Sequence, residues 1–170
     1  MNRSRGFTLI EVLVSLVVLS IGLLGMAKLV LVSSHANDSA YLRSQATALA
    51  YEILDKMRAN PAGAIAGNYN TAINALPAAP TSCLGIAANC STTQTALWDV
   101  YSWKQHLTTA VLYGALPSGT ASVVTAAAAG GTVTATITVQ WDDAAAQSAF
   151  GVAAVGVAAP MSITLETVIQ

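Results

Sequence analysis

The sequence has few charged residues. Seven Lys and Arg and eight Asp and Glu amount to only 9% of the 170 residues, and the formal net charge is −1. Soluble domains contain about 25% charged residues, so this low content indicates a protein with much of its surface against lipid or neighbouring subunits. The slight negative charge also argues against direct binding of nucleic acid, because phosphate backbones attract basic surfaces.

The sequence also lacks the patterns that carry catalysis, and we predict no enzyme activity, no metal and no cofactor. It has no G-x-S-x-G motif, phosphate-binding loop or zinc-ligand spacing. Of its two histidines, His35 is expected at the membrane interface, on a helix just past an apolar run, and His106 on the solvent face of a short helix. Asp142–Asp143 follow a predicted strand, where acidic residues commonly form a turn. A calcium-binding loop is the alternative for this pair.

Only two cysteines are present, Cys83 and Cys90, within a segment rich in Ala, Asn, Ser and Thr. In an exported segment such a pair indicates a disulfide, because the bacterial periplasm is oxidising. A bridge across so short a loop is expected to fix a local surface shape rather than hold the whole domain together. A metal site is the alternative, but it requires more ligands, and neither histidine is near in sequence.

The longest apolar run extends over residues 7–27. Its polar residues are Thr8, Glu11, Ser15 and Ser20. Because about 20 apolar helical residues cross a bilayer core of roughly 30 Å, the run predicts a single membrane span. Arg3 and Arg5 precede it, which predicts a cytoplasmic N-terminus.

A cleaved secretory signal peptide is the competing interpretation of this N-terminus. Such peptides have an apolar stretch of about 7–15 residues followed by a small-residue cleavage site. The run here is longer, no clear A-x-A site follows it, and the candidate processing point lies before it, at Gly6–Phe7. Cleavage there removes a basic leader and keeps the apolar helix in the mature protein.

Glu11 is the only charged residue in the run. A carboxylate at the centre of a membrane-spanning helix costs about 2.5–3.5 kcal/mol, so residues of this kind are usually functional and paired. The run itself contains no Lys, Arg or His. The sequence therefore predicts that the partner of Glu11 comes from another subunit.

The residues GFTLIE, from Gly6 to Glu11, resemble the N-terminus of the type IV pilin superfamily. The resemblance implies that a prepilin peptidase cuts after Gly6 and that Phe7 becomes the N-methylated first residue. It further implies that the methylated amine of Phe7, on the same or an adjacent subunit, pairs with Glu11. This pairing would set the axial register of the subunits during assembly.

Two further segments, residues 21–27 and 42–63, are similar to minor pilins of the PilV type, the type IV pilus modification proteins. Residues 55–60 read DKMRAN, like the DRMRAN segment of that group, with Lys56 in place of Arg. Beyond residue 63 the resemblance is weaker and rests on the cysteine pair and the strand pattern of residues 133–143.

The helical pattern continues beyond the apolar run. An apolar stripe at helical spacing consists of Leu42, Ala46, Leu49, Ala50, Ile53, Leu54 and Met57. Glu52 and Lys56 form a favourable i,i+4 pair, and Asn60–Pro61 ends the helix. A helix over residues 7–59 is expected, with its second half packed on a domain formed by the rest of the chain.

The remaining chain predicts a small head with a helix and an antiparallel sheet. Residues 61–96 read mainly as loop and residues 97–113 as a short helix, while strands are expected at 133–141 and 161–169 and, more weakly, at 120–128. The fold class is therefore α+β, a type IV pilin-like lollipop in which a long helix packs on a small antiparallel sheet.

Trp98, Tyr101 and Trp103 are the one candidate for an exposed aromatic cluster. Aromatic residues are enriched in interface hot spots, which would make the cluster a partner surface. Burial in the domain core is the commoner fate of such residues.

These patterns together define four segments. They are a prepilin leader at 1–6, a transmembrane and assembly half-helix at 7–28, an amphipathic half-helix at 29–60 and a periplasmic head at 61–170. The resemblance implies a minor pilin that waits in the inner membrane and then enters, or primes, a type IV pilus fibre or tip. Its expected partners are other minor and major pilins, the prepilin peptidase, the pilus assembly platform and inner-membrane lipid. A type II secretion pseudopilin and a tip adhesin or DNA-capture subunit are the alternatives.

Overall fold

The computed structural model describes residues 8–84, 89–108, 116–143 and 160–170. Its helices are α1 (Leu9–Ala59), α2 (Pro61–Ile65) and α3 (Thr92–Thr108), and its strands are β1 (Thr120–Ala127), β2 (Val133–Trp141) and β3 (Met161–Ile169). The strands form one antiparallel sheet in the order β1-β2-β3. The predicted α+β lollipop, a long helix followed by a small antiparallel sheet, is confirmed.

Helix α1 has two parts with different surroundings. Over its 51 residues it is about 77 Å long. Every residue from 9 to 31 is exposed, whereas the residues that α1 buries all lie between positions 46 and 57. These buried residues are Ala46, Leu49, Ala50, Ile53, Leu54 and Met57, and Leu42 packs against them. The predicted stripe is therefore the face on which the head is built.

The core lies between this face of α1, the sheet and α3. Along β2, alternate residues from Val133 to Trp141 are buried, as the sequence pattern predicts. Trp103 of α3 is fully buried, and its indole Nε1 donates a hydrogen bond to the Leu49 carbonyl of α1 at 2.8 Å. The core is thus assembled from segments that are far apart in sequence, with α1 as its common wall.

Helix α3 begins at Thr92, five residues before the predicted start at 97. Ser91 and Gln94 form a reciprocal cap: the Gln94 backbone N–H donates to Ser91 Oγ at 3.3 Å, and the Ser91 N–H donates to Gln94 Oε1 at 2.9 Å. The first turn of α3 contains no apolar stripe, so the hydrophobic periodicity of the sequence did not predict it. The predicted residues 109–113 of this helix lie outside the described part of the chain.

Asn60 connects the end of α1 to the other two helices. Its Nδ2 donates to the Thr92 carbonyl at 2.7 Å and to the Tyr69 hydroxyl oxygen at 3.3 Å, and its Oδ1 accepts the Gly63 N–H at 3.3 Å. The Asn60 side chain thereby caps α2 and ties it to α3. Part of the segment predicted as loop is accordingly the helical turn of α2.

Candidate functional site

The predicted processing site, Gly6 and Phe7, lies outside the described residues. The structure begins at Thr8, whose backbone is extended and whose carbonyl accepts the N–H groups of Glu11 and Val12 at 3.1 and 3.4 Å. Helix α1 begins at Leu9, so that Glu11 stands in its first turn.

The hydroxyl groups near Glu11 are satisfied within the helix. Ser15 Oγ donates to the Glu11 carbonyl and Ser20 Oγ to the Leu16 carbonyl, both at 2.7 Å. The Glu11 carboxylate makes no hydrogen bond or ion pair with any of the described residues. Its position in the first turn is favourable to a negative charge, but a specific partner must come from elsewhere.

Glu11 shares its helix face with small residues. At 3.6 residues per turn, Ser15 and Gly22 lie within about 40° of Glu11 around the axis, whereas Ser20 lies about 180° away. A side-chain carbon built at Gly22 or Gly25 meets no atom within 4 Å. Small residues allow helices in a membrane to approach closely, so this face suits contact with a neighbouring apolar helix.

The first half of α1 is long and apolar enough to cross a membrane. Its large apolar side chains are exposed without interruption, for example Leu9 at 81% and Leu24 at 72%. Soluble monomers rarely expose contiguous apolar patches of this extent. The segment is consistent with anchoring in a membrane.

Cys83 and Cys90 are joined by a disulfide with a Cα–Cα distance of 6.0 Å. Both cysteines line a cleft together with residues of α1 and α3. There Glu52 Oε1 accepts from Lys56 Nζ at 2.9 Å and lies 3.0 Å from His106 Nδ1. The predicted i,i+4 pair is therefore present and joined to a second helix.

The prediction that His106 is on the solvent face of its helix is wrong. Its side chain is 26% exposed and faces Glu52 of α1. His106 directly precedes the buried Leu107 and follows the buried Trp103 by three positions, so it stands at the margin of the face that α3 turns toward α1. A polar side chain at this margin finds a partner on the facing helix.

The Asp99 carboxylate accepts a hydrogen bond from a buried tyrosine. The hydroxyl of Tyr69, which is fully buried, donates to Asp99 Oδ2 at 2.8 Å. Burial raises the pKa of the Asp99 carboxyl above its usual range. Burial also raises the pKa of Tyr69, and the hydrogen bond to Asp99 adds to this shift.

Lys104 is a buried cation that the sequence interpretation missed. It is 4% exposed, and its Nζ donates to the backbone carbonyls of Ala72 at 2.9 Å, Ile73 at 3.2 Å and Ala121. It follows the buried Val100 by four positions and precedes the buried Leu107 by three, and this spacing could have placed it on the inner face of α3. Burial lowers its pKa to about 8.

The buried position of Lys104 predicts a pH dependence of stability. Its pKa is about 8 in the folded state and 10.5 when solvated, so between these values the unfolded chain binds more protons. The free energy of unfolding should therefore rise from pH 8 toward pH 10. Denaturant unfolding of the full chain in micelles, followed by Trp fluorescence, measures this rise. Lys104→Met should reduce the slope whatever its effect on absolute stability, and equal slopes would contradict the prediction.

The predicted acidic pair ties the end of β2 to the rest of the fold. Asp143 is 5% exposed and accepts a hydrogen bond from Ser39 Oγ of α1, while the Asp142 N–H donates to the Pro117 carbonyl at 2.8 Å. In the described part of the chain, no group of three or more His, Cys, Asp or Glu is placed to hold a metal ion. The observed contacts of the pair are structural.

The three aromatic residues of α3 divide between core and surface. Trp103 is in the core, whereas Trp98 and Tyr101 are half-buried, with ring centroids 5.9 Å apart and planes inclined by 43°. Trp98 lines a cleft together with Cys83, Leu84 and Cys90. The core interpretation is thus correct for Trp103, whereas Trp98 and Tyr101 are only partly buried.

Comparison with known families gives two matches. Residues 1–27 match the family described as the prokaryotic N-terminal methylation motif, and residues 29–101 match the family described as type IV pilin Tt1218. No curated protein and no solved structure matches the chain. The first match includes Gly6, Phe7 and Glu11, and the second ends within α3.

Proposed function

We propose that this chain, a member of the type IV pilin superfamily, is a minor pilin that enters a type IV pilus or primes its assembly. Type IV pilins are structural subunits, and the methylation motif implies processing by a prepilin peptidase and assembly with other pilins. The observation that carries the proposal is Glu11, a carboxylate without a partner among the described residues on an exposed apolar helix.

In this proposal residues 1–6 are a leader on the cytoplasmic side, and cleavage creates a new amine at Phe7. The apolar half of α1 then waits in the inner membrane with the head in the periplasm. Arg3 and Arg5 support this orientation, because positive charge near a span favours the cytoplasmic side. The disulfide supports it as well, since disulfides form in the periplasm.

Assembly moves the apolar helix from lipid into a bundle of similar helices. Packing between such helices comes from van der Waals contact and close approach, and an apolar surface alone fixes the axial position weakly. Glu11 fixes the axial position, because its carboxylate is buried in the bundle and requires the amine of Phe7 as a partner. Removing one partner of a buried ion pair costs about 3–5 kcal/mol, which disfavours every wrong register.

The minor role is supported by the resemblance of residues 42–63 to PilV-type proteins. In the structure this segment forms the neck between helix and head: its Leu49 carbonyl accepts from Trp103, and its Asn60 caps α2. Lys56, the position that differs from the PilV-type segment, donates to Ser102 of α3 at 3.1 Å. The segment therefore determines how the head is attached to the helix.

The processing step predicts the effect of Gly6→Ala. If the peptidase recognises Gly6 as the last leader residue, this variant should accumulate as the precursor, with a strong reduction of the mature form. Intact-mass measurement of the membrane-extracted protein distinguishes the two forms by the mass of residues 1–6. Asn2→Ala, which changes the leader away from the cut, is the control. A normal amount of mature protein from Gly6→Ala would refute the proposed cleavage site.

A deletion strain separates the proposal from the pseudopilin alternative. Loss of a minor pilin should reduce surface pili, counted by electron microscopy and by shearing, while type II substrates remain fully exported. Restoration by the wild-type gene is the control. Loss of secretion with normal piliation would identify the chain as a pseudopilin instead.

A further inference from the structure

A hydrogen bond between two distant residues joins α1 to the head outside the hydrophobic core. Ser39 Oγ of α1 donates to Asp143 Oδ2, just beyond the end of β2. Of the described side-chain hydrogen bonds between α1 and the head, the others lie at Leu49 or beyond. The buried face of α1 begins at Ala46, about 10 Å along the helix from Ser39. The Ser39 contact therefore holds the head at a point closer to the apolar half of α1 than the core does.

The Asp143 carboxylate is buried at this contact. It is 5% exposed, and the Ser39 hydroxyl is the only described group that donates to it. None of the described cations forms an ion pair with it. A buried carboxylate without a donor is costly, and loss of one partner of a hydrogen bond leaves the desolvation penalty on the other. Asp143 therefore depends on Ser39 for as long as it is held against α1.

The end of the sheet carries Asp143 as a rigid extension. Trp141, two residues earlier, is 1% exposed and belongs to the core, whereas Asp142 between them is exposed. The Asp142 N–H donates to the Pro117 carbonyl at 2.8 Å, which fixes the chain just after the strand. Because both neighbouring residues are held, Asp143 moves with the sheet. Movement of this end of the sheet away from α1 must break the bond to Ser39.

The head thus has a broad attachment to α1 and a narrow one. The broad attachment is the buried face between Ala46 and Met57, and rotation about it changes the angle between the head and the helix, which we call the head tilt. The bond between Ser39 and Asp143 lies to one side of this face. A contact at a distance from the axis of rotation limits an angle more strongly than a contact on the axis, so this bond restricts the head tilt.

We propose that Ser39 and Asp143 are positioning residues for assembly, which fix the head tilt before the subunit contacts the heads of its neighbours. This proposal rests on the pilin function proposed above. A subunit whose head samples several tilts is competent for only a fraction of the time, and its apparent affinity for the fibre falls by that fraction. The role is separate from that of Glu11, because neither residue lies in the apolar half of α1.

The head tilt can be measured as the distance distribution between two spin labels in the full mature chain in detergent micelles. Labels at Ser34→Cys and Ser162→Cys occupy exposed positions on α1 and on β3, near the end of the sheet that carries Asp143. The native cysteines are bonded to each other and do not react. Pulsed EPR should give a narrow distribution for this parent chain. Ser39→Ala should broaden it by about twofold or more, because the end of the sheet moves away from α1 until water reaches the Asp143 carboxylate.

Three further variants separate positioning from general destabilisation. Ser39→Thr keeps the hydroxyl donor, and Ser44→Ala removes an exposed hydroxyl from the same helix, so both should keep the narrow distribution. Ser39→Ala combined with Asp143→Leu removes the buried charge together with its donor and should be narrow again, because no polar group remains that requires water. The proposal is overturned if Ser39→Ala stays narrow, if Ser44→Ala broadens equally, or if the double variant stays broad.

Recovery in sheared pili measures the consequence for assembly. Ser39→Ala should be recovered at about one fifth of the wild-type amount or less, while the protease resistance of its head is retained and Ser39→Thr is recovered normally. Normal recovery of Ser39→Ala would overturn the role in assembly. Absence of the wild-type chain from pili would instead refute the proposed pilin function, and the spin-label distances would still decide whether Ser39 fixes the head tilt.

Discussion

Glu11→Ala is expected to insert normally into the inner membrane and to be absent from sheared pili. Insertion should be no harder, because the change removes a charge from the apolar segment that enters the bilayer. Assembly should fail because the amine of Phe7 is then buried without its carboxylate, at a cost of about 3–5 kcal/mol. Immunoblots of washed membranes and of sheared pili from the same culture measure the two steps separately.

Ser20→Ala is the matched control for this experiment. Ser20 is polar, lies in the same apolar half of α1 and faces about 180° away from Glu11. Its hydroxyl is already bonded to the Leu16 carbonyl, so its loss should leave incorporation unchanged. Glu11→Gln keeps a polar side chain of similar size and should fail like Glu11→Ala if charge pairing is decisive. Normal incorporation of both Glu11 variants would remove the basis of the register mechanism.

Trp103→Ala is expected to give the largest loss of stability in the head, about 3–5 kcal/mol. The side chain is fully buried in the core, and its removal leaves a cavity and eliminates the hydrogen bond from its indole Nε1 to the Leu49 carbonyl. Domains of this size are stable by only about 5–15 kcal/mol, so a large fraction of the head should unfold on mild heating. Chemical denaturation followed by circular dichroism and by protease resistance measures the change.

Trp98→Ala is the matched control, because it removes the same side chain from the same helix at a half-buried position. It should cost much less than Trp103→Ala. Trp103→Phe fills most of the cavity but cannot donate to Leu49, so an intermediate loss is expected. Equal stabilities of the two alanine variants would show that α3 does not anchor the head on α1 as described.

The sequence predicted the elements whose pattern is local and periodic. The stripe from Leu42 to Met57 and the alternation from Val133 to Trp141 each repeat at the period of their own element. The buried faces of these two elements could therefore be predicted from the sequence without knowledge of the fold. For the candidate site, Gly6, Phe7 and Glu11 came from a contiguous motif at the start of the apolar run.

The features that the sequence did not predict depend on distant segments. Glu52 and His106 are 54 positions apart and Ser39 and Asp143 are 104 apart, yet each pair is in contact. Nothing local in either half of such a pair indicates its partner.

Because α1 is continuous, an axial displacement of its apolar half is transmitted to the head at its other end. The helix contains no proline from Leu9 to Ala59, and its exposed first part extends about 35 Å before the head begins to cover it. A subunit displaced by one helical turn in the bundle would carry its head about 5.4 Å along the fibre. In the proposed fibre, neighbouring heads would then meet with mismatched surfaces. Contacts between heads would therefore also disfavour a subunit in the wrong axial position.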